Sequence, residues 1–573
     1  MNEKRWISSP ELNSEQQEIV KSLAGTINVS PFLAALLVQR GVHDFEQART
    51  FFRPELDHLH DPFLMKDMDR AVERLTQAIG RGEKILVYGD YDVDGTTSVT
   101  LFYGFLRTFY DQLDYYIPDR YVEGYGVSTQ GIDYAAENGF TLIVALDCGI
   151  KSIDKVSYAL SKGIDFIICD HHRPGNELPP AAAVLDPKRA DCAYPYKELT
   201  GCGVGFKLLH AFCMQHGRDE TELFAYLDLL VVSIASDIVP ITGENRVLAY
   251  YGLQRLNSSP RTGLKALIKI AGISNALDIT SVVFGLGPRI NAAGRIKHAK
   301  EAVRLLLCED EDEADEFASA INKHNSDRRT FDTTITDEAL AMIQNDAWLT
   351  GAKSTVLFKE DWHKGVIGIV ASRCIEHFHR PTIILTQSNG KAAGSARSVP
   401  GFDVYEAIEE CAELLEQFGG HTFAAGLTLP IENVNAFRQR FEEIVSNRIL
   451  PDQLLPMINV DMELDLEAIS WKFYNVLKQM SPFGPGNMMP MFVSRGVSVA
   501  KKPTIMKEKH IKFDVYQGNS PAFTTIAFGM AHIYPDLMSG KPFDICYHLD
   551  ENNFRDQRTL QLMLKDIKFG TAE

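Results

Sequence analysis

The stretch Glu83-Lys84-Ile85-Leu86-Val87-Tyr88-Gly89-Asp90-Tyr91-Asp92-Val93-Asp94-Gly95-Thr96-Thr97-Ser98 decides the fold. Residues 85–87 form a short apolar run of the kind a buried parallel strand shows. Gly89 closes it, and Asp90, Asp92 and Asp94 then alternate with apolar residues up to Gly95. Thr96 or Thr97 is available to cap a following helix. The pattern predicts strand, turn and helix, with three carboxylates delivered to the strand's carboxyl end, where open α/β sheets bind their ligands. Like charges this close repel unless a cation or several donors neutralise them, so the stretch predicts a metal site. The same Asp-x-Asp-x-Asp-Gly spacing opens a calcium loop of the EF-hand type, but that loop needs a glutamate at its twelfth position. Counting from Asp90 puts Leu101 there. An acidic surface turn is the other structural alternative, and it weakens as further clusters of ligand-type residues are found.

Working outward, apolar runs at 142–146 and 166–168 lead into Asp147-Cys148-Gly149 and Asp170-His171-His172-Arg173-Pro174. A longer apolar segment, 227–235, leads into Ser236-Asp237-Ile238-Val239-Pro240. The alternation up to about residue 256 predicts a doubly wound parallel sheet. Such a sheet would gather Asp90, Asp92, Asp147, His171, His172 and Asp237 along one edge. A lone histidine pair is more often solvated surface, and a lone aspartate after a strand is often a helix cap. Four clusters in the same structural place are hard to explain by capping. Mixed aspartate and histidine ligation suits manganese or another first-row divalent ion better than calcium. Two ions sharing one bridging carboxylate would activate water and clamp the attacking and leaving oxygens of a phosphate displacement. A histidine beside the ligands could act as general acid or orient the phosphate.

A chain of 573 residues predicts three or four domains. Its 45% hydrophobic and 23% charged residues are those of a soluble globular protein. No apolar run is long enough to span a bilayer, and the N-terminus shows no signal-peptide pattern. The nine cysteines include no Cys-x-x-Cys pair, which argues for a reducing cytoplasm. The formal net charge of −18 weighs against nucleic acid. A local groove can still be basic, and carboxylates that hold cations count in that total.

Gly89-Asp90-Tyr91-Asp92-Val93-Asp94-Gly95, Asp147-Cys148-Gly149, Asp170-His171-His172 and Ser236-Asp237 resemble, in order, the four motifs of the DHH phosphoesterase superfamily. The likeness continues in Pro288-Arg289-Ile290-Asn291-Ala292-Ala293-Gly294-Arg295, in Trp362-His363-Lys364-Gly365-Val366-Ile367-Gly368 with Ile369-Val370-Ala371-Ser372-Arg373, in Gly419-Gly420-His421 and in Pro482-Phe483-Gly484-Pro485-Gly486-Asn487. From Lys84 to the C-terminus the chain is similar to the superfamily's branch of 5′-to-3′ single-strand-specific DNA exonucleases. The resemblance implies that Asp90, Asp92, Asp147, His171 and Asp237 ligate two Mn2+ or Mg2+ ions, with Asp147 as the bridge. His172 would face the scissile phosphate, Asp170 would hold a histidine by a hydrogen bond, and Asp94 would be a third carboxylate of the catalytic group. Smaller superfamily members place a histidine four residues before the first aspartate; Leu86 stands there in this chain. The resemblance also implies a monomer acting in recombination and repair, with a single-strand binding protein and a helicase as partners.

The expected architecture is therefore α/β, with two α/β lobes joined by a helical segment and followed by a C-terminal OB-fold barrel. Residues 1–60 read as a helical attachment to the first large domain, 61–262 as the DHH catalytic domain and 263–346 as a helical connector. Residues 347–450 read as the DHH-associated domain and 451–573 as the barrel. Gly394-Ser395-Ala396-Arg397-Ser398 offers amides, hydroxyls and a guanidinium suited to a terminal phosphate; an ordinary Gly/Ser turn is the structural alternative. Facing the metal lobe, Ser395 and Arg397 could hold the 5′ end. Arg295, His421 and Arg373 are further phosphate candidates, although Arg289, Asn291 and Arg295 could equally form a structural loop. Near the C-terminus Ile511, Phe513 and Val515 alternate with polar residues. Lys501, Lys502, Lys507, Lys509, Lys512 and Phe528 suit a barrel that stacks bases and tracks a backbone, with Phe513 in its core. The reading is a metal-dependent exonuclease that admits one DNA strand to a cleft too narrow for a duplex. Its rivals are a phosphoesterase of pyrophosphate, cyclic dinucleotides or short oligonucleotides, which would not need the barrel, and a degenerate scaffold, which should have lost ligands.

Overall fold

The computed structural model describes residues 4–555 and 557–570. Its catalytic lobe is built on five parallel strands in the order Leu113–Tyr116, Lys84–Gly89, Phe140–Leu146, Asp165–Cys169, Ala183–Leu185. Helices cover both faces, so alternate residues of one strand enter different cores. Ile85 and Val87 pack on one side, Leu86 and Tyr88 on the other. The continuous apolar runs of the sequence come from this two-sided burial. Leu86, at the position where a smaller relative would carry histidine, is thereby a core residue.

The helix Val93–Leu106 follows the first strand, but its cap is Asp92, whose Oδ1 accepts the Gly95 N–H at 3.0 Å. Thr96 and Thr97, expected at that position, lie one turn in and donate to the carbonyls of Asp92 and Val93. A second difference concerns the fourth motif. The segment before Asp237 is a helix, Leu227–Ser236, buried along its length, so Asp237 reaches the site from a helix end and not from the sheet. Periodicity cannot separate a fully buried strand from a fully buried helix, because both are apolar on every side.

The second lobe carries a five-stranded sheet in the order Gln417–His421, Ala424–Leu429, Lys391–Arg397, Thr382–Ser388, Thr355–Phe358, antiparallel except for its last pair. Much of the expected connector belongs to the catalytic core, including Leu264, Leu267 and Ile290. The true link is one helix of 35 residues, Glu311–Asn345. Ala314, Ala318 and Ile321 are buried in the catalytic core, whereas Ile335, Ala339 and Ile343 are buried with Trp362 and Val370 in the second lobe.

The C-terminal strands Phe492–Met506, His510–Tyr516, Phe523–Ala527, Gln557–Phe569 and Phe543–Phe554 close into a barrel, because the first also pairs with the last. Phe513 lies in its core, and Lys501, Lys502, Lys507, Lys509, Lys512 and Phe528 are exposed. The N-terminal helices Ser14–Ile27, Pro31–Gln39 and Phe45–Phe52 share the barrel's core with Phe473 and Leu477. Their attachment is thus mainly to the barrel and not to the first large domain: an amphipathic face shows that a helix is covered, not by what. No single helix among the described residues is long and apolar enough to cross a membrane.

The barrel and the catalytic lobe meet at Arg246, on the helix Gly243–Ser258. Its guanidinium donates to the carbonyls of Phe51, Met480, Ser481 and Pro482 and lies 3.9 Å from the centre of the Phe51 ring. In the adjoining turn, buried Asn487 donates to Met480 O and Pro482 O and accepts from Arg40.

Candidate metal centre and interlobe cleft

Asp90 is fully buried, and neither carboxylate oxygen makes a hydrogen bond of ordinary geometry. Burial first, and then the charge of Asp92, push its carboxyl well above the usual range, although the amides of Tyr91 and Gly126 act the other way. Asp147 follows the strand Phe140–Leu146 in a left-handed backbone conformation, φ 60°, which aspartate tolerates better than most residues. Its N–H donates to Cys169 O at 2.9 Å, and Gly201 packs against it so closely that a Cβ there would lie 2.4 Å from the Asp147 Cβ. Its carboxyl is raised by burial and then by the charges of Asp94, Asp92, Asp237 and Asp90. His171 Nε2 stands 3.2 Å from Asp147, 3.7 Å from Asp237 and 3.8 Å from Asp94. Neither of its ring nitrogens has a hydrogen-bond partner among the described residues. Burial, followed by the charge of Asp94, carries Asp237 up to about 8.

A buried cluster of mutually repelling carboxylates around an unsatisfied imidazole is unfavourable by itself. A divalent cation removes both defects, and the oxygen-and-imidazole donor set suits manganese, with carboxylates available for magnesium. Asp147, His171 and His172, and likewise Asp94, His171 and Asp237, offer ligand atoms within 4.8 Å of one another. The residues present fit the ion.

Asp94 differs from its neighbours in being saturated with donors. It accepts from the amides of Gly201 and Cys202 at 2.7 and 3.0 Å and from Ser233 Oγ at 2.7 Å. It therefore ties the starts of two helices, Val93–Leu106 and Gly201–His216, to Leu227–Ser236 behind the cluster. Asp170 holds His172, its Oδ1 lying 2.7 Å from His172 Nδ1, and it also accepts from the amides of His171, His172 and Ile150. Burial would raise its carboxyl, but the His172 bond and these donors carry it down to about 2. For His172 burial acts downward, and the bond and charge of Asp170 win, taking it up to about 9. The other ring nitrogen, Nε2, lies 3.0 Å from the Tyr125 hydroxyl, on the exposed side.

Against this edge lies a cavity of about 510 Å3, bounded by Tyr91, Arg120, Tyr125 and Arg295 of the catalytic lobe and by Ser395 and Arg397 of the second lobe. Arg397 Nη1 donates to Ser395 Oγ at 3.0 Å, and Gly368 leaves room for both side chains. Arg295 donates to Gly365 O, and its own carbonyl accepts from the Tyr121 hydroxyl. Burial, then the charges of Arg120, Arg328 and Arg397, lower it to about 10. A basic wall drawn from both lobes thus adjoins an acidic edge on a chain of net charge −18. Two expected contacts do not join that wall. Arg373 is bound bidentately by buried Asp332 at 2.7 and 2.8 Å, and His421 sits exposed at the end of an edge strand. Arg120, Tyr91 and Tyr125 were missed by sequence reasoning. The signal was available: Arg120-Tyr121-Val122-Glu123-Gly124-Tyr125-Gly126 follows the short strand Leu113–Tyr116 at the same carboxyl edge, with Arg120 4.7 Å from the centre of the Tyr91 ring.

Three family models match the chain. The DHH family N-terminal domain matches residues 84–234, the DHHA1 domain 351–447 and the RecJ OB domain 460–566. The chain is 39% identical over 567 residues to the single-stranded-DNA-specific exonuclease RecJ of Bacillus subtilis, covering 98% of this chain and 70% of that protein. The chain belongs to the RecJ family. To the Escherichia coli member it is 32% identical, covering 97% of this chain and 99% of its relative. The crystal structure of Thermus thermophilus RecJ in complex with Mn2+ superposes with a TM-score of 0.85 at 27% identity, covering 99% of this chain and 80% of that one. That family is the branch the sequence resembles, and its DHH, DHHA1 and OB domains are the expected fold.

Proposed function

We propose that this chain is a metal-dependent exonuclease that takes single-stranded DNA by its 5′ end and releases mononucleotides. The observation that carries this reading is a cavity in which Arg120 and Arg295, beside the carboxylate–imidazole cluster of the catalytic lobe, meet Ser395 and Arg397 of the second lobe. In this reading Asp90, Asp92, Asp147, His171 and Asp237 hold the divalent ions, which neutralise charge on the phosphate and activate water. Ser395 and Arg397 bind the terminal phosphate, helped by Arg120 and Arg295, so the chain end is fixed before the bond one nucleotide in is presented. His172, oriented by Asp170 and Tyr125, faces that phosphate and is placed to pass a proton to the leaving oxygen. Asp94 keeps the helices behind the ligands in register. The barrel, with its exposed lysines and Phe528, feeds the strand. It is also what separates this reading from a small-substrate phosphoesterase.

We further infer a catalytic domain from 61 to about 310, the linking helix Glu311–Asn345, a DHH-associated domain at 347–450 and a barrel unit at 451–573 joined by residues 1–60, in a cytoplasmic monomer that serves a single-strand binding protein and a helicase in recombination and repair. The test uses oligonucleotides labelled at the 5′ or the 3′ end, with Mn2+, Mg2+ or EDTA, and compares the wild type with Asp147→Ala. Immediate mononucleotide from the 5′ label, dependent on metal and on Asp147, is the expected result. Early mononucleotide from the 3′ label would reverse the polarity and remove the role given to Ser395 and Arg397.

A further inference from the structure

A cavity of about 350 Å3 opens at the far end of the helix Val93–Leu106 from the metal cluster. Asp92 caps the start of that helix, Tyr103 stands in its last turn and Arg107 closes it. At 1.5 Å per residue the cavity lies about 20 Å along the axis from the carboxylates. It shares no lining residue with the interlobe cleft. The strand Leu113–Tyr116 supplies Tyr115, the helix Lys300–Leu307 supplies Arg304, and the linking helix Glu311–Asn345 supplies Glu313 and Phe317.

Tyr103, Tyr115 and Phe317 pack one side against the catalytic core and leave the other to the cavity. The two tyrosine rings meet edge to face with their centres 5.1 Å apart. Lys300, one turn before Arg304, holds its Nζ 5.2 Å from the centre of the Tyr115 ring. Burial raises the Tyr115 phenol, against the pull of the Arg304 guanidinium beside it. Arg107 and Arg304 are exposed, and among the described residues neither they nor Lys300 form an ion pair with a carboxylate. A lone exposed arginine is ordinary solvated surface. Three unneutralised cations from two helices around one aromatic cavity, on a chain of net charge −18, are a different matter. The guanidiniums suit a phosphate, which arginine binds bidentately, and the rings suit the flat face of a base.

We propose that this cavity binds a nucleoside 5′-monophosphate, its base laid against Tyr103, Tyr115 and Phe317 and its phosphate held by Arg107 and Arg304. Glu313, whose carboxylate accepts from Cys308 Sγ at 3.5 Å, keeps acceptor capacity for a sugar hydroxyl or a base amine. The volume falls at the lower end of the range for small-molecule sites, as one nucleotide requires. An inorganic anion would leave the rings unused, and an apolar molecule would leave the guanidiniums unpaired. The inference stands apart from the exonuclease reading; where that reading holds, the enzyme makes this ligand itself.

The experiment titrates the Mn2+-loaded full chain calorimetrically with dAMP, AMP, adenosine and inorganic phosphate. Arg107→Gln should weaken dAMP about tenfold, as loss of one charge-assisted contact predicts, and Tyr115→Leu should weaken it by a similar factor through lost stacking. Arg397→Ala, in the cleft, should leave this binding within about twofold. Adenosine and phosphate should each bind at least about tenfold more weakly than dAMP, since each uses half of the cavity. In the wild type dAMP should slow hydrogen exchange over 103–107 and 300–317, a readout that needs no variant. Tighter binding of dAMP than of AMP assigns the occupant to digested DNA and the reverse to the ribonucleotide pool, and either order supports the site. Binding lost in Arg397→Ala and untouched by Arg107→Gln would place the nucleotide in the cleft and overturn the proposal. So would phosphate binding as tightly as dAMP, or no heat from either nucleotide at millimolar concentration. A wild type that binds dAMP as expected but cuts no oligonucleotide would withdraw the exonuclease reading and leave this site standing.

Discussion

Replacing Arg246 by alanine should cut the molecule along a seam. The guanidinium makes five donated bonds, two to Phe51 O at 3.0 and 2.9 Å and one each to Met480 O, Ser481 O and Pro482 O at 3.0, 2.9 and 3.3 Å. No carboxylate neutralises it, and burial lowers it to about 10, so its charge is held by carbonyl dipoles and the Phe51 ring. Each bond from a charged donor contributes roughly 1 to 2 kcal/mol net, and water recovers part of that when the side chain is removed. A loss of about 4 kcal/mol follows, or roughly a thousandfold in the equilibrium that docks the barrel on the catalytic lobe. The carbonyls belong to the N-terminal helices and the segment before the barrel, which share one core. Calorimetry should therefore show the barrel and N-terminal helices melting apart from the two α/β lobes, and a protease should cut near Asn487. Turnover of a dinucleotide should persist while KM for long strands rises. Coincident melting and unchanged protease resistance in Arg246→Ala would refute the reasoning.

Four other outcomes are expected. Asp90→Asn replaces a buried carboxyl whose oxygens lack partners and whose anion burial and Asp92 disfavour, so it should stabilise the metal-free protein by about 1 to 3 kcal/mol in urea titrations while abolishing the stabilisation added by Mn2+. Gly201→Ala places a methyl 2.4 Å from the Asp147 Cβ; calorimetric Mn2+ affinity should fall at least about tenfold, with a loss of roughly 1 to 3 kcal/mol from overpacking. Tyr125→Phe deletes the hydroxyl 3.0 Å from His172 Nε2, and kcat should drop about three- to tenfold with KM little changed, since the ring is steered and not the strand. Glu83, accepting from Arg74 and Thr141, is held below its usual range even though burial acts to raise it. A lowered folded value means stability that is present above the unfolded value and lost as the pH falls through the folded one. Glu83→Gln should therefore lower the urea midpoint at pH 7 and lose its effect near pH 3.

The sheet strands at 85–87, 142–146 and 166–168 were legible because each is apolar on both faces and ends in a polar cluster, a contrast that survives without coordinates. Asp237 was placed in the right company by the same contrast, although its segment turned out helical. The loop carrying Arg120 and Tyr125 was not read, because an arginine among glycines and tyrosines has no periodicity and gains meaning only from the strand end beneath it. Arg373 failed for the opposite reason. Its motif gave it a phosphate, but Asp332, 41 positions earlier, holds it bidentately, and no local pattern encodes a partner at that separation. The N-terminal helices show the same limit, since their apolar face meets residues more than 400 positions away.

The helix Glu311–Asn345 has a consequence for what leaves the enzyme. Between Ile321, rooted in the catalytic core, and Ile335, rooted in the second lobe, run 14 residues, or about 21 Å of rigid rod. The spacing of the two walls is thus counted in helical turns. One inserted residue would swing the far lobe by about 100° and carry Arg397 out of line with Asp147, whereas two whole turns would restore the heading and widen the gap by about 11 Å. The rod acts as a gauge: on the exonuclease reading, the length of the fragment released is set by a residue count in a segment that touches no DNA end and binds no metal.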